Sequence, residues 1–187
     1  MRVAISGTHC SGKSTLVEAF LQQHPDYSHE PEPYTVLVED FGEEFSSVPT
    51  AEEFFRQLEF NVDRLGQYKP GANVIFERCQ ADFLAYILAL QDLGRENIDT
   101  AFYNAALDLA VAALPHLDLI VYLPANEVDR DDVPDEEDPE LRDAVDRWLR
   151  DILIDDEFSL FSAGFPLVLE ANGSTVQRLG MLESLVF

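Results

Sequence analysis

Short apolar runs alternate with longer stretches of helical periodicity along this chain. The apolar run at 2–6 predicts a strand, and residues 13–23 carry apolar side chains at i and i+4 that predict a helix. A second apolar stretch near 34–38 is the candidate for the second strand. Three further strands are expected at 73–76, 117–123 and 166–169.

Helix start and stop signals lie between these strands. Thr50 and Glu53 match a capping box, and Asp138 followed by Pro139 fits the N-cap and first residue of another helix. Three further helices are predicted: one that stops at Gly94, one from about Thr100 that stops before Pro115, and one that starts at Ser174. Strands separated by helices of ten or more residues need crossover connections. The sequence therefore predicts an α/β fold with a five-stranded, mostly parallel sheet and helices on both faces.

Length and composition fit one packed domain over residues 1–187. Apolar residues make up 47% of the 187 positions, which is enough for an ordinary core. Cys10 and Cys79 are too few for a disulfide framework, and neither has an identifiable activating partner. No stretch has the length of a signal or transmembrane segment, so the expected location is cytoplasmic.

The charge is strongly negative and unevenly distributed. Thirty-six acids against twelve lysines and arginines give a net charge of −24, which argues against nucleic-acid and membrane partners. Residues 127–157 hold fifteen acids and four arginines, whereas residues 1–17 contain no acid at all. An acidic surface of this kind also fits a protein adapted to high salt. The acid-free segment is where an anion is expected to bind.

A phosphate-binding motif occupies this acid-free segment. The sequence G-T-H-C-S-G-K-S at 7–14 fits the P-loop pattern and lies between a predicted strand and a predicted helix. Backbone N–H groups of such a loop surround the phosphates, Lys13 neutralises them and the Ser14 hydroxyl ligates magnesium. The expected nucleotide-binding residues are Gly7, Thr8, His9, Cys10, Ser11, Gly12, Lys13, Ser14 and Thr15.

Four segments together resemble P-loop nucleoside-kinase-like proteins, the AAA-type ATP-binding group that includes nicotinamide riboside kinase domains. They are I-S-G-T-H-C-S-G-K-S-T, H-E-P-E-P, F-E-R-C-Q-A-D-F-L-A-Y and L-D-L-I-V-Y-L, in this order along most of the chain. The first is highly specific, and the order of the others adds weight. The resemblance implies a P-loop NTPase fold with a helical lid, ATP and Mg²⁺ as cofactors, and a loop at 170–174 against the adenine.

The resemblance places the acceptor hydroxyl near Glu30, Glu32, Glu77, Arg78 and Asp82. Phosphoryl transfer needs a carboxylate that accepts the hydroxyl proton, and Glu30 and Glu32 are the candidates. Their alternative is a solvated acidic loop in an acidic protein. Glu77 ends an apolar strand, where ligands bind in open α/β sheets, and is expected to hold magnesium or its water.

The residues after Glu77 have two interpretations each. Arg78 either contacts phosphate or pairs with a carboxylate. Asp82 either binds substrate hydroxyls or caps the helix that starts beside it. Tyr86 lies one turn after Asp82 on the same helix face, which makes it a further substrate-binding candidate.

The resemblance places a lid at about 125–157, whose arginines close over the transferring phosphoryl group. Arg130 and Arg142 are the candidates, and their alternative role is to offset neighbouring acids on a helix. Related kinases often have Asp-Gly followed closely by Arg, whereas this sequence has Val133-Pro134. The sequence therefore leaves both Arg130 and Arg142 as candidates for the lid arginine.

The leading hypothesis is a magnesium- and ATP-dependent kinase acting on a hydroxyl of a nucleoside or a similar small molecule. Residues 26–56 contain nine acids and one arginine, which favours a neutral or cationic acceptor such as nicotinamide riboside over a nucleoside monophosphate. One alternative is a regulatory ATPase or switch with the segment 127–157 as its partner surface. Another is an ATP-binding protein with degraded catalysis. The sequence leaves the oligomeric state open.

Overall fold

The computed structural model describes residues 1–125, 138–161 and 164–186. In these ranges the strands are β1 (Arg2–Ser6), β2 (Ser28–Glu30), β3 (Val74–Glu77), β4 (Leu119–Tyr122) and β5 (Leu167–Glu170). The helices are α1 (Lys13–Gln23), α2 (Pro33–Glu39), α3 (Ala51–Gly66), α4 (Gln80–Asp92), α5 (Thr100–Ala113), α6 (Pro139–Leu153) and α7 (Thr175–Val186). A 3₁₀ turn at Leu114–His116 follows α5.

The five strands form one sheet in the order β2-β3-β1-β4-β5, and all four pairings are parallel. The predicted fold class is confirmed, with a sheet that is fully rather than mostly parallel. The register aligns Ile5 of β1 with Glu77 of β3, so the loop after β1 starts beside the end of β3. From β1 the chain passes to β2 at one edge of the sheet, returns to β3 beside β1, and then crosses to β4 and β5 on the other side. The carboxyl ends of strands at such a switch point form the usual ligand crevice of this architecture.

Helices cover both faces of the sheet. Successive side chains of a strand point to opposite faces, so Val3 and Ile5 pack with α1 and α7, whereas Ala4 joins a second core with α3, α4 and α6. Helix α4 lies within this second core, and its residues 80–90 are all buried. The core therefore fixes the position of α4, whose first turn follows directly after Glu77.

The predicted second strand is wrong. The apolar stretch at 34–38 lies in helix α2, which starts with Pro33 in the first helical position. Strand β2 is the preceding segment Ser28–Glu30, at the edge of the sheet, with two of its three residues exposed. Polar residues are tolerated at an exposed edge, so β2 carries no apolar pattern by which sequence alone would show it. Glu30 consequently belongs to a strand rather than to a loop.

The predicted helix caps are confirmed. The Thr50 hydroxyl accepts from the Glu53 N–H at 3.2 Å, and the Glu53 carboxylate accepts from the Thr50 N–H at 3.0 Å. Asp138 caps α6 by accepting from the Leu141 N–H at 3.1 Å. Helix α3 ends at Gly66. Among the helices described, none has both the length and the apolar character needed to cross a membrane.

Candidate active site

The loop between β1 and α1 has a backbone that depends on glycine. A side chain at position 7 would place its Cβ 2.7 Å from the carbonyl oxygen of Leu123, which is too close for any other residue. Gly12 has a φ of 84°, in the left-handed region that glycine adopts without strain. Cys10 adopts a φ of 54° without that freedom. The loop is therefore held in a specific, partly strained conformation at the amino end of α1.

Four cationic side chains, three of them from distant parts of the chain, donate hydrogen bonds to backbone carbonyls of this loop. Arg78 follows β3, Lys13 starts α1, and the other two come from α6 and α7. The bonds are Arg78 Nη1 to Gly7 (3.0 Å), Lys13 Nζ to Thr8 (2.7 Å), Arg142 Nε to His9 (3.0 Å) and Arg178 Nη1 to Ser11 (2.8 Å). A chain of net charge −24 thus surrounds its predicted phosphate site with positive charge.

Lys13 is buried among these cations. Burial and the neighbouring Arg78 lower the pKa of Lys13 to about 8, against the opposing effect of nearby carboxylates. A phosphate anion next to the ammonium group would favour its charged form again. The loop therefore presents a lysine whose charge is best satisfied by an anion.

Ser14 and Glu77 come together as predicted for a magnesium site. The Ser14 hydroxyl donates to Glu77 Oε2 at 2.7 Å, and the His29 Nε2 atom lies 2.9 Å from Glu77 Oε1. Burial opposes ionisation of Glu77, but the hydrogen bonds from His29 and Ser14 outweigh it and lower the pKa of this carboxyl. A hydroxyl and an ionised carboxylate at the end of a phosphate loop are the oxygen ligands that suit Mg²⁺.

Arg78 is almost fully buried and pairs with two carboxylates. Its Nε donates to Glu32, and its Nη1 lies 3.3 Å from Asp82 Oδ1. Of its two predicted roles, carboxylate pairing is the one the structure shows. The backbone of Arg78 has a φ of 73°, which costs energy for a non-glycine residue and is typical of functional sites.

Asp82 is fully buried and both of its oxygens accept from the backbone. Oδ2 accepts from the Cys79 N–H at 2.9 Å at the start of α4, and Oδ1 accepts from the Gly7 N–H at 3.0 Å. The structure therefore shows the capping contact, and substrate binding by Asp82 stays a prediction. By bonding to Gly7, Asp82 also attaches the phosphate loop to α4.

A cavity of about 320 Å³ opens beside the loop, between α2, α3 and α4. Its polar wall includes His9, Glu32, Gln57 and Arg78. Aromatic side chains form much of the remaining wall, namely Tyr34, Phe45, Phe54, Phe83 and Tyr86. Apolar walls with a few convergent polar groups are typical of small-molecule sites.

The structure separates the two candidate bases. Glu30 accepts from Arg64 and from the Tyr68 hydroxyl and is not part of the cavity wall. Glu32 lines the cavity. Burial would raise the pKa of Glu32, but Arg78, Lys13 and His9 outweigh it and lower this pKa to about 2. Glu32 is therefore ionised and faces the space where an acceptor would lie.

Tyr86 and His9 lie next to each other in the cavity. The Tyr86 ring stacks on Phe54 at a centroid distance of 4.4 Å, and the Arg78 guanidinium lies 5.3 Å from its centroid. Burial raises the pKa of Tyr86 to about 12, so its hydroxyl stays protonated. Burial and the nearby cations Arg78 and Lys13 lower the pKa of His9 to about 3, so its ring is neutral.

Of the two candidates for the lid arginine, Arg142 reaches the loop from α6 and is 5% exposed. Arg130 and the Val133-Pro134 pair lie outside the described residues. The part of the expected lid that the structure describes is thus α6, which packs against α4.

Sequence reasoning missed the α3 wall of the cavity and Arg178. Gln57 lines the cavity, is 5% exposed and lies on the helix face that also buries Phe54 and Leu58. Polar residues on an otherwise apolar helix face are the signal that marks this wall. No local signal distinguishes Arg178 from other arginines, because its contact with the loop spans 167 positions.

The fold and this site define a P-loop nucleotide-binding protein. The family model described as an AAA domain matches residues 2–178, and the chain belongs to this family. No curated protein sequence matches the chain significantly. This match confirms the predicted relationship to the AAA-type ATP-binding group, and solved structures of P-loop kinases share the fold.

Three such structures cover nearly the whole chain at low sequence identity. Deoxyadenosine kinase from M. mycoides with bound dATP has a TM-score of 0.63, 18% identity, and coverage of 100% of this chain and 99% of that one. Thymidylate kinase from Candida albicans has a TM-score of 0.70, 16% identity, and coverage of 99% and 90%. NadR protein in complex with NR has a TM-score of 0.65, 16% identity, and coverage of 98% of this chain and 50% of NadR. At these identities the likeness shows the fold.

Proposed function

We propose that this protein is a magnesium- and ATP-dependent kinase that transfers the γ-phosphate to a hydroxyl of a nucleoside or nucleoside-like molecule. One observation carries the proposal: the ionised Glu32 faces an aromatic-walled cavity and is joined through Arg78 to the phosphate loop. Kinases of a nucleoside and of a nucleotide among the proteins of the same fold support it.

The donor side uses the loop and the residues at its two ends. Backbone N–H groups and the amino end of α1 bind the phosphates, and Lys13 contributes the charge that neutralises them. Ser14 and Glu77 would hold Mg²⁺, which neutralises charge on the transferring phosphoryl group. His29 orients the Glu77 carboxylate through a hydrogen bond to Oε1, the oxygen that Ser14 does not contact.

The acceptor side uses Glu32 as the proton acceptor. A pKa of about 2 makes Glu32 a weak base, but one that is ionised at every physiological pH. Phosphoryl transfer proceeds through a loose transition state and depends mainly on positioning and charge, so a weak base suffices to orient the hydroxyl and accept its proton. Arg78 keeps Glu32 in place, and Asp82 keeps Arg78 in place.

Arg142 is the lid arginine that the described residues support. It lies against the His9 carbonyl, within the loop that binds the phosphates, and comes from the helix that follows the expected lid segment. In this role its guanidinium would bind a phosphoryl oxygen of the bound nucleotide. Arg130 stays a candidate for the same role.

The cavity favours a flat, uncharged or cationic acceptor. Five aromatic rings provide stacking surfaces, and the Gln57 amide provides a donor and an acceptor for a heterocyclic base. Glu32 and Glu53 both line the cavity and repel a second phosphate. A pyridinium ring such as that of nicotinamide riboside would gain cation–π attraction here, which makes this nucleoside our leading candidate.

Incubation of the protein with Mg²⁺, ATP and single acceptors tests the proposal. The panel contains nicotinamide riboside, uncharged nucleosides and the corresponding monophosphates, and the product is detected by mass spectrometry as a species heavier by one phosphoryl group. We expect product from a nucleoside and none with Lys13→Ala. Acceptor-independent ATP hydrolysis, with a protein partner captured only in the presence of ATP, would instead establish the switch alternative. A preference for monophosphates would overturn the proposed acceptor class.

A further inference from the structure

Arg178 connects the last helix to the phosphate loop. It is the fourth residue of α7 and is 3% exposed. Its Nη1 donates to the carbonyl of Ser11 at 2.8 Å. Helix α7 packs against α1, and Leu179 and Leu182 join the core on that side of the sheet. The guanidinium is therefore attached to a helix whose position is fixed by the core.

This bond determines the direction of a neighbouring N–H group. The carbonyl of Ser11 and the N–H of Gly12 belong to one peptide unit, and in a trans peptide the two point in opposite directions. Fixing the Ser11 oxygen toward α7 therefore directs the Gly12 N–H away from α7. Position 12 has no side chain, and a Cβ there would lie 3.0 Å from Arg178 Nη1. A side chain at position 12 would therefore crowd the guanidinium, and the glycine favours its close approach.

We propose that Arg178 is a positioning residue of the nucleotide-donor site. It holds the last part of the loop in the conformation that binds phosphate, and it adds positive charge beside the loop. The inference deepens the proposed function. It rests only on the proposed binding of ATP, since it requires a bound triphosphate and not a particular acceptor. It also makes α7 part of the donor site.

Binding of MgATP and of magnesium tripolyphosphate, measured by calorimetry on the full chain, tests this role. We expect Arg178→Gln to weaken both ligands by about tenfold and by the same factor, because both are bound through their phosphates. Arg178→Lys should recover part of the loss, since it keeps the charge without the planar fork. Arg2→Gln is the matched control, because Arg2 is also buried but pairs with Asp118 at the opposite end of β1. It should leave both affinities unchanged.

Four outcomes would overturn the inference. Unchanged affinity in Arg178→Gln would show that the loop does not need the arginine. A loss for ATP alone would place the effect on the adenine side, and an equal loss in Arg2→Gln would indicate a general loss of stability. Absence of ATP binding in the unaltered protein would overturn the proposed function as well. ATP binding without transfer to any acceptor would overturn only the proposed function. If Arg178→Gln does not fold in a thermal melt, Arg178→Lys decides, with an expected loss of about threefold.

Discussion

Glu30 and Glu32 show how far a residue's role depends on contacts that are distant in sequence. One residue separates them, and both fit the chemistry of a proton acceptor. Their cationic partners lie 34 and 46 positions away, at Arg64 for Glu30 and at Arg78 for Glu32. No local pattern shows which partner belongs to which carboxylate. The sequence therefore narrows the base to two residues, and the fold favours one.

Glu32→Gln should lower kcat for phosphoryl transfer by about 100-fold or more, because it removes the proton acceptor while keeping the shape of the side chain. The affinity for ATP should change little, since Glu32 does not touch the phosphate loop directly. Steady-state kinetics with the best acceptor, together with calorimetric ATP binding, measures both quantities.

Glu30→Gln is the matched control for this prediction. Glu30 is buried and accepts from Arg64 and Tyr68, so its loss should reduce the free energy of unfolding by about 1–3 kcal/mol. Transfer by the folded fraction should continue. A large loss of kcat in Glu30→Gln, with near-normal turnover in Glu32→Gln, would exchange the two roles.

At the scale of whole elements, the sequence predicts the inner strands and every described helix except α2. Buried strands such as β1 and β4 carry apolar runs. Helix caps such as Thr50 and Asp138 are recognisable from residues that lie close to them in sequence. Strand β2 was missed because three polar residues at a sheet edge have no apolar period. The apolar stretch at 34–38, which was predicted to be the second strand, forms α2 instead. Its apolar residues pack toward α3 and the cavity.

The capping box of α3 has a consequence for the site as well as for stability. Thr50→Ala should reduce the free energy of unfolding by about 1 kcal/mol, because the Glu53 N–H loses its acceptor. Glu53 and Phe54, in the first turn of α3, line the cavity, so the same change should raise the KM for the acceptor severalfold. Urea unfolding and steady-state kinetics measure the two effects.

Asp99→Ala is the control, because Asp99 caps α5 by accepting from the Phe102 N–H at 2.8 Å. It should cost a similar free energy of unfolding and leave the acceptor KM unchanged, since α5 contributes no residue to the cavity wall. Equal KM values for Thr50→Ala and the unaltered protein would show that the first turn of α3 does not contact the acceptor.

At the scale of the molecule, the charge is negative overall, whereas cationic side chains gather at the candidate active site. The P-loop motif is local and therefore visible in the sequence, as is the absence of acids in residues 1–17. The convergence of Arg78, Arg142 and Arg178 on its carbonyls is not visible, because each comes from a different element. Positive charge is thus assembled by the fold, against a net charge of −24. The acids outside the site affect the solubility and the stability of the protein.

Like charges repel over the acidic surface, so stability should depend on salt. The Debye length falls from about 30 Å at 0.01 M salt to about 3 Å at 1 M, which removes most of the repulsion. We expect NaCl over this range to raise the free energy of unfolding by about 1 kcal/mol or more, seen as an increase in Tm of about 2–4 °C. Thermal melts at several salt concentrations measure it.

Two variants separate charge repulsion from other effects of salt, and both change the same four exposed helix residues, Glu18, Glu59, Asp108 and Asp143. Amides at these positions remove four negative charges, which should raise Tm at low salt and flatten its dependence on NaCl. Exchanging Glu and Asp at the same positions keeps the charge and should leave the salt response of the original protein. An identical salt response in all three proteins would mean that repulsion is not what the salt relieves. The acidic surface would then contribute to solubility rather than to the salt dependence of stability.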